Sequence, residues 1–441
     1  MRIRAGKVLL AVFLLAFCWQ LSSADASPEI SDERATPAYW VSRHPEGERV
    51  LLDAAGVKNV NAVLRQHNEM LVDLAAMPET ITGNEIERRI EAVQALGDFD
   101  TASVPGLYKN GAALTAYSYG FARKNCNLAS LPQEEHLRYG IVTERANLRL
   151  LPEAAGWFES AGDTHYDMLQ ATALDPAEPV AILADSYDGK FFFVASRYYD
   201  GWLAKSSLGL TDRDTWLGYV QPADFAVVTA NKKQIAAPGG RSLLFQMGAK
   251  IPVRSAESGR LQLRLPGAEA GKLREELVTL PADDTLHHGF LPCTENNFIR
   301  QGFRFLGDVY GWGGLDDSVD CSAFVADVYR SMGVEIPRDA DQQAKSMPDV
   351  TNLSGMSEEE RLAALSRCRP GTLLANNTHV MMYLGEDADG TPIVLQSMSS
   401  WFSFGSDYGK HYLRKVIAST TTFLNASGNP YIDGVHYLGS L

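Results

Sequence analysis

Cysteine is scarce in this sequence: there are 5 in 441 residues, and none sits in a Cys-x-x-Cys pair. No His-x-x-x-His occurs either, so the spacing offers no zinc-type site, and neither a metal nor a cofactor is expected. A basic excess is also missing. Lys and Arg number 40 against 54 Asp and Glu, the net charge is −14, and no basic run appears, which excludes the electrostatic footprint of a nucleic-acid binder. Beyond the N-terminus no stretch approaches the roughly 18 apolar residues of a membrane span. What is present is ordinary globular material, 45% apolar and 21% charged. The length calls for about two to four domains rather than one core.

Residues 1–26 read as a secretory signal. Arg2, Arg4 and Lys7 give the positive start, Val8 to Leu15 is continuously apolar, and Ala24-Asp25-Ala26 offers a small-x-small cleavage site. Phe17 before Cys18 is too large for a lipid-anchored cysteine signal. Export to the periplasm or cell wall, with cleavage near Ala26, is therefore expected, and the mature chain is expected to be a monomer. Cys126, Cys293, Cys321 and Cys368 remain, an even count that permits disulfides, with Cys126–Cys293 one possible bridge.

Along the chain, residues 27–137 read as a mostly helical N-terminal domain. Val60, Val63, Leu64, Leu71 and Leu74 share one helical face, and Asn84 with Glu87 suggests a capped second helix. From about residue 138 the period changes to two. A short strand and a turn are expected over 141–152 and strands at 179–183, 191–195, 198–203 and 216–220, giving a first SH3-like barrel over 138–221. Strands at 225–228, 242–245, 250–253 and 260–264 suggest a second over 222–290. Residues 291–441 return to mixed helix and strand, including a hairpin of 379–385 and 392–397 joined through Asp389-Gly390.

One stretch of this last region carries chemistry. Tyr310-Gly-Trp-Gly-Gly-Leu-Asp-Asp-Ser-Val-Asp-Cys-Ser is a glycine-rich loop running into a helix. Asp320 occupies the N-cap, so Cys321 falls at the first helical position, followed by Phe324, Val325, Val328 and Tyr329 at helical spacing. Unpaired N–H groups and the helix dipole favour an anion there. A cysteine so placed is expected to ionise readily, and the same N–H groups can hold an oxyanion. A nucleophilic cysteine needs a base, and the base an orienting group. His379 opens a strand of the same region, and Gln396 lies on its partner strand, where its amide oxygen could accept the Nδ1 proton. His411 and His436 are rival bases outside such a context.

Taken in order, Tyr310-x-Trp-Gly-Gly, Asp320-Cys-Ser, Arg369-Pro-Gly and His379-Val-x-x-Tyr-Leu-Gly resemble the NlpC family of bacterial cell-wall cysteine peptidases, which have a papain-like fold. The resemblance covers residues 300–400, and the preceding barrels look like bacterial SH3-like domains. It implies a multidomain α+β architecture, with a Cys-bearing helix packed on an antiparallel sheet. It implies Cys321 as nucleophile, His379 as base and Gln396 as third residue, with Tyr310 and Ser322 lining the oxyanion region and Trp312 touching substrate. The implied substrate is the peptidoglycan stem peptide, cut between γ-D-glutamate and a diamino acid. A free L-alanine amine would be held by Asp339, with Glu178 and Tyr199 as the barrel's contribution. Ala323 stands where the family has glycine, and Thr372 where it has aspartate. An inert papain-like domain in a wall-binding protein, or an acyltransferase on the same fold, are the alternatives.

Overall fold

The computed structural model describes residues 27–405 and 407–441; the expected signal segment at 1–26 lies outside them. Its buried side chains fall into three groups. The first joins residues 74–137 to both strand-rich regions. The second joins Ile30, Trp40, Val60, Leu64 and Leu71 to one face of the C-terminal sheet. The third fills the other face of that sheet. The segment expected as one N-terminal domain thus divides its apolar side chains between two cores.

Four helices lie in this segment: α1 (Pro37–Arg43), α2 (Ala54–His67), α3 (Gly83–Ala95) and α4 (Ala116–Asn125). Thr82, not Asn84, caps α3, accepting the Glu85 N–H at 3.2 Å. The strands that follow are β1 (Arg138–Val142), β2 (Ala146–Arg149), β3 (Gln170–Leu174), β4 (Pro179–Asp185), β5 (Phe191–Ala195), β6 (Asp200–Ala204) and β7 (Leu208–Thr211). Residues 216–220, expected as a strand, belong to helix α5 (Arg213–Val220). Asp212 caps it by accepting the Thr215 N–H at 2.8 Å, and Trp216, Tyr219 and Val220 bury one face. Five residues fit either period, and the cap decides between them.

The second strand-rich region comprises β8 (Phe225–Val228), β9 (Lys232–Ala237), β10 (Arg241–Gln246), β11 (Lys250–Glu257), β12 (Arg260–Glu269), β13 (Lys272–Pro281) and β14 (Leu286–His288). The two regions form one twelve-stranded ladder, ordered β14-β8-β11-β12-β13-β7-β1-β4-β5-β6-β2-β3, with a single parallel contact at Leu210–Lys272 and β9–β10 as a separate hairpin. β13 has no counterpart among the expected strands; its half-buried positions are Leu273, Glu276, Val278 and Leu280, and Leu277 points outward among charged neighbours.

In the C-terminal region α6 (Glu295–Phe303) and α7 (Cys321–Ser331) pack together on a sheet. Between them and the last strand run α8 (Ala340–Ser346), β15 (Asp349–Asn352), α9 (Glu358–Leu365), β16 (Leu373–Ala375), β17 (Val380–Glu386), β18 (Pro392–Ser403), β19 (Gly409–Thr420) and β20 (Tyr437–Ser440). The sheet is antiparallel in the order β15-β20-β16-β17-β18-β19. Along β17, Met382 and Leu384 face the α7 side, and Met381 and Tyr383 face the other. Ser357 caps α9 with a full capping box to Glu360, as the sequence pattern requires. Among the described residues no helix is long and apolar enough to cross a membrane.

Candidate active site

The glycine loop is shaped by the barrel beside it. Gly313 and Gly314 have φ of 57° and 85°, the left-handed region that disfavours side chains. A Cβ on Gly313 would lie 2.5 Å from Gln170 Cγ, and one on Gly314 would lie 2.8 Å from Ala173 Cβ. Both glycines therefore let β3 close onto the loop, where Gln170 Nε2 donates to the Gly313 carbonyl at 3.0 Å. Trp312 Nε1–H donates to the Asp167 carbonyl at 3.1 Å. Trp312 is thus a tie between loop and barrel.

The loop delivers the chain to Asp320, the N-cap of α7, whose carboxylate accepts the Ala323 N–H at 2.8 Å and the Gly313 N–H at 3.0 Å. Arg338 grips the same carboxylate through Nη2 at 2.6 Å and Nη1 at 3.1 Å. Its Nη1 also donates to Ser322 Oγ at 2.7 Å, and its Nε to Thr172 Oγ1 of the barrel at 2.9 Å. Burial alone would raise the Asp320 carboxyl; Arg338 and the N–H donors outweigh it and hold the group below its usual value. The Ser322 side chain is consumed in this clamp, so only its backbone N–H faces the thiol.

Cys321 is 7% exposed at the start of α7, beside the N–H groups of Val380 and Ser322. His379 immediately precedes β17, and its Nε2 lies 2.7 Å from Gln396 Oε1. Gln396 is itself fixed by donating Nε2–H to Ser419 Oγ at 2.7 Å. The expected contact to Nδ1 is therefore corrected: Gln396 accepts from Nε2–H, which makes Nδ1 the free, basic nitrogen. The expected ready ionisation of the thiol is opposed by its burial. Burial pushes Cys321 up to about 12, with the Asp320 carboxylate adding to it and the Val380 and Ser322 N–H groups and Arg338 opposing. Burial likewise holds His379 below the usual imidazole value. Burial thus disfavours the charged form of both groups, against the N–H donors at the start of α7.

The remaining candidates separate. Tyr310 is buried near Cys321, and burial pushes its hydroxyl upward. Tyr199 reaches across from the barrel and its hydroxyl donates to Asp339 Oδ2 at 3.2 Å. Burial raises Asp339, with Arg338 opposing. Glu178 is not with them. It pairs with Arg330 at 3.1 Å, in a buried network with Asp175, which Arg330 also meets at 3.0 Å and Arg145 at 2.9 Å. A surface motif gave no sign of this, because its partner is over a hundred residues away. His411 stacks on Trp401 at 4.8 Å. Cys126, Cys293 and Cys368 are free thiols, so the Cys126–Cys293 bridge is absent. Among the described residues no group of three or more His, Cys, Asp or Glu could hold a metal ion.

Sequence reasoning missed Tyr166. Its hydroxyl lies 2.6 Å from Ser399 Oγ, and its ring faces Trp312 at 5.8 Å and Tyr310 at 6.3 Å. It closes a barrel loop over the Cys321 region, and nothing in the local pattern around it signals that.

Residues 307–413 match the NlpC/P60 family, and residues 157–204 match the SH3 domain family of SH3b1 type. The chain carries an NlpC/P60 domain. A γ-D-glutamyl-L-lysine dipeptidyl-peptidase of Bacillus subtilis (strain 168) is 43% identical over 54 residues, 12% of this chain and 18% of that one. One of Bacillus cereus (strain ATCC 10987 / NRS 248) is 23% identical over 158 residues, 34% of this chain and 44% of that one. The chain spans less than half the length of either relative. The fold is shared more widely. An NlpC/P60 endopeptidase from Photobacterium damselae subsp. piscicida superposes with a TM-score of 0.73 at 18% identity, covering 94% of this chain and 97% of that one. The NlpC/P60 domain thus holds Cys321, His379 and Gln396, and the SH3 segment supplies Tyr166 and Tyr199.

Proposed function

We propose that the protein is an exported cell-wall cysteine peptidase. It hydrolyses the γ-D-glutamyl–diamino acid bond of peptidoglycan stem peptides that carry a free N-terminal L-alanine. The carrying observation is that the Val380 N–H meets the Cys321 thiol while the adjacent His379 is tied through Nε2 at 2.7 Å to Gln396, leaving Nδ1 free. Two relatives named as γ-D-glutamyl-L-lysine dipeptidyl-peptidases support the bond. The amine site rests on Tyr199 and Asp339, a hydroxyl and a carboxylate 3.2 Å apart that could share the protons of an ammonium. Glu178, held by Arg330, is no part of it. The apolar run of residues 1–26 supports export, and the SH3 segment supports wall association.

In this mechanism His379 Nδ1 takes the Cys321 proton as Sγ attacks the γ-carbonyl carbon. Backbone N–H groups at the start of α7 hold the oxyanion, where Tyr310 forms the wall. The imidazolium returns its proton to the leaving amine as the C–N bond breaks. A water, deprotonated by His379, then attacks the thioester and releases L-Ala-D-Glu and free thiol. Gln396 keeps the ring in one tautomer throughout.

The test is to incubate the protein, and Cys321→Ala, with L-Ala-γ-D-Glu-diaminopimelate. Release of L-Ala-D-Glu by the wild type alone supports the peptidase. Muropeptide binding without release by either protein supports a wall-binding module. Transfer of the dipeptide to an added amine in preference to water supports an acyltransferase. Acetylating the alanine amine, or Tyr199→Phe, should raise KM; cutting of acetylated peptide at an undiminished rate would remove the amine site.

A further inference from the structure

A cation with no ionic partner stands beside the cleft. Arg414 is half-buried, its Nε is shielded from solvent without a hydrogen-bond partner, and among the described residues no carboxylate reaches it. Other shielded arginines are satisfied: Arg145, Arg149, Arg197, Arg330 and Arg338 each meet a carboxylate, and Arg361 donates to the Met356, Ile432 and Val435 carbonyls. In a chain of net charge −14, an unpaired guanidinium is conspicuous. It is also held in place. Its carbon lies 4.6 Å from the centre of the Tyr412 ring and 5.5 Å from that of Tyr166.

The backbone adds a second observation. Arg414 has φ of 49°, a left-handed conformation that residues other than glycine seldom adopt. It sits at a bulge, where Met398 pairs with Lys415 but Ser400 pairs with Tyr412, so Ser399 faces two residues. Bulges re-aim side chains, often next to active sites. The same bulge delivers the Arg414 carbonyl to the Tyr310 N–H at 2.9 Å.

Arg414 backs onto a groove, reached through the Tyr166 ring and Ser399. A groove of about 340 Å³ begins at His379 and Gln396 and continues past Ser399, Trp401, Phe423 and Tyr431. Apart from His379 its lining carries no ionisable acid or base except the Tyr431 phenol. Asp339 and Tyr199 lie outside it. His379 protonates the leaving amine, so the chain that departs occupies its side. Ser399 lies three residues beyond Gln396 on β18, about 10 Å along an extended strand, or the reach of one amino acid with a long side chain. A diamino acid released there from a tripeptide brings at least one carboxylate to Ser399; His379 is the only cationic group of the groove lining, and Arg414 stands just behind it, over the Tyr166 ring whose hydroxyl meets Ser399 Oγ at 2.6 Å.

Resting on the peptidase reading above, we propose that Arg414 receives a carboxylate of the leaving diamino acid and so sets specificity on that side of the bond. Tyr166 and Tyr412 hold the guanidinium for it.

The test compares wild type, Arg414→Gln and Arg414→Lys on four tripeptides: L-Ala-γ-D-Glu-diaminopimelate, its two leaving-side monoamides, and the analogue with D-isoglutamine in place of D-glutamate. Thermal melting of each variant checks folding. One leaving-side amide should lower wild-type kcat/KM on the order of 10- to 100-fold. Arg414→Gln should lose as much on the free acid and nothing further on that amide, and Arg414→Lys should recover part. Equal losses by Arg414→Gln on every substrate would overturn the proposal, as would sensitivity confined to D-isoglutamine. If no tripeptide is cut, binding separates the two ideas. Diaminopimelyl-D-alanine should quench the fluorescence of Cys321→Ala and quench Cys321→Ala/Arg414→Gln far less. Equal quenching of both would refute the Arg414 site, whatever becomes of the peptidase reading.

Discussion

Replacing Arg338 by Met should disable the site from a distance. Arg338 is 8% exposed and spends its donors on Asp320, Ser322 and Thr172. The change leaves the Asp320 carboxylate buried with only N–H and hydroxyl donors. Removing one partner of a buried pair costs about 3–5 kcal/mol, a large share of the roughly 5–15 kcal/mol that holds a domain together. Asp320 normally sits below its unfolded value, so its contribution is present above that value and fades as pH falls. In the variant only these donors oppose burial, so the sign should reverse, the folded carboxyl then binding its proton more tightly than the unfolded one. The deficit should therefore shrink as pH drops toward 4–5. An unneutralised Asp320 also raises the Cys321 thiol further, so kcat/KM should fall even where the variant is folded. Urea unfolding at pH 7.5 and pH 5, with tripeptide kinetics, measures both effects. Pairing the change with Asp320→Asn should restore much of the stability. A loss below about 1 kcal/mol, the ordinary worth of an exposed ion pair, with activity intact, would refute the clamp.

Gln396→Ala should lower kcat on the order of 10- to 100-fold with KM little changed, because it frees the His379 ring; an unaltered kcat would show that the ring is oriented otherwise. With no substrate present, iodoacetamide should alkylate Cys321 slowly at pH 7 and faster as pH rises toward its value of about 12. Fast alkylation independent of pH from 5 upward would instead show a preformed thiolate. The activity profile should keep its acid limb below the usual imidazole range, since burial keeps His379 neutral there. Lys250, lowered to about 7 by burial, binds its proton less tightly when folded, so on its account stability rises with pH between about 7 and 10.5. Lys250→Met should then raise the melting temperature at pH 7, with the gain gone by pH 10.5; a gain independent of pH would point to packing instead.

Local signals carried much of this far. Asp320 before Cys321, with apolar residues at helical spacing behind it, was enough to place the thiol at a helix start, because capping and periodicity act over a few residues. The β17–β18 hairpin was legible for the same reason, through period-two strands around Asp389-Gly390. Short segments were not. Residues 216–220 fit a strand until the Asp212 cap made them helix.

What the sequence by itself determined is the order of chemical parts: a capped cysteine, a histidine at a strand start and an amide on the neighbouring strand. Which atoms meet was settled only by the tertiary structure. The choice of Nε2 over Nδ1 depends on where β18 places Gln396. Glu178 turned out to belong to Arg330 rather than to the cleft, and Tyr166 to stand over it, because both positions follow from how the barrel packs on α7. The thiol's proton went the same way. A helix start favours the anion by a local field, while the surrounding fold removes water from Cys321 and opposes it.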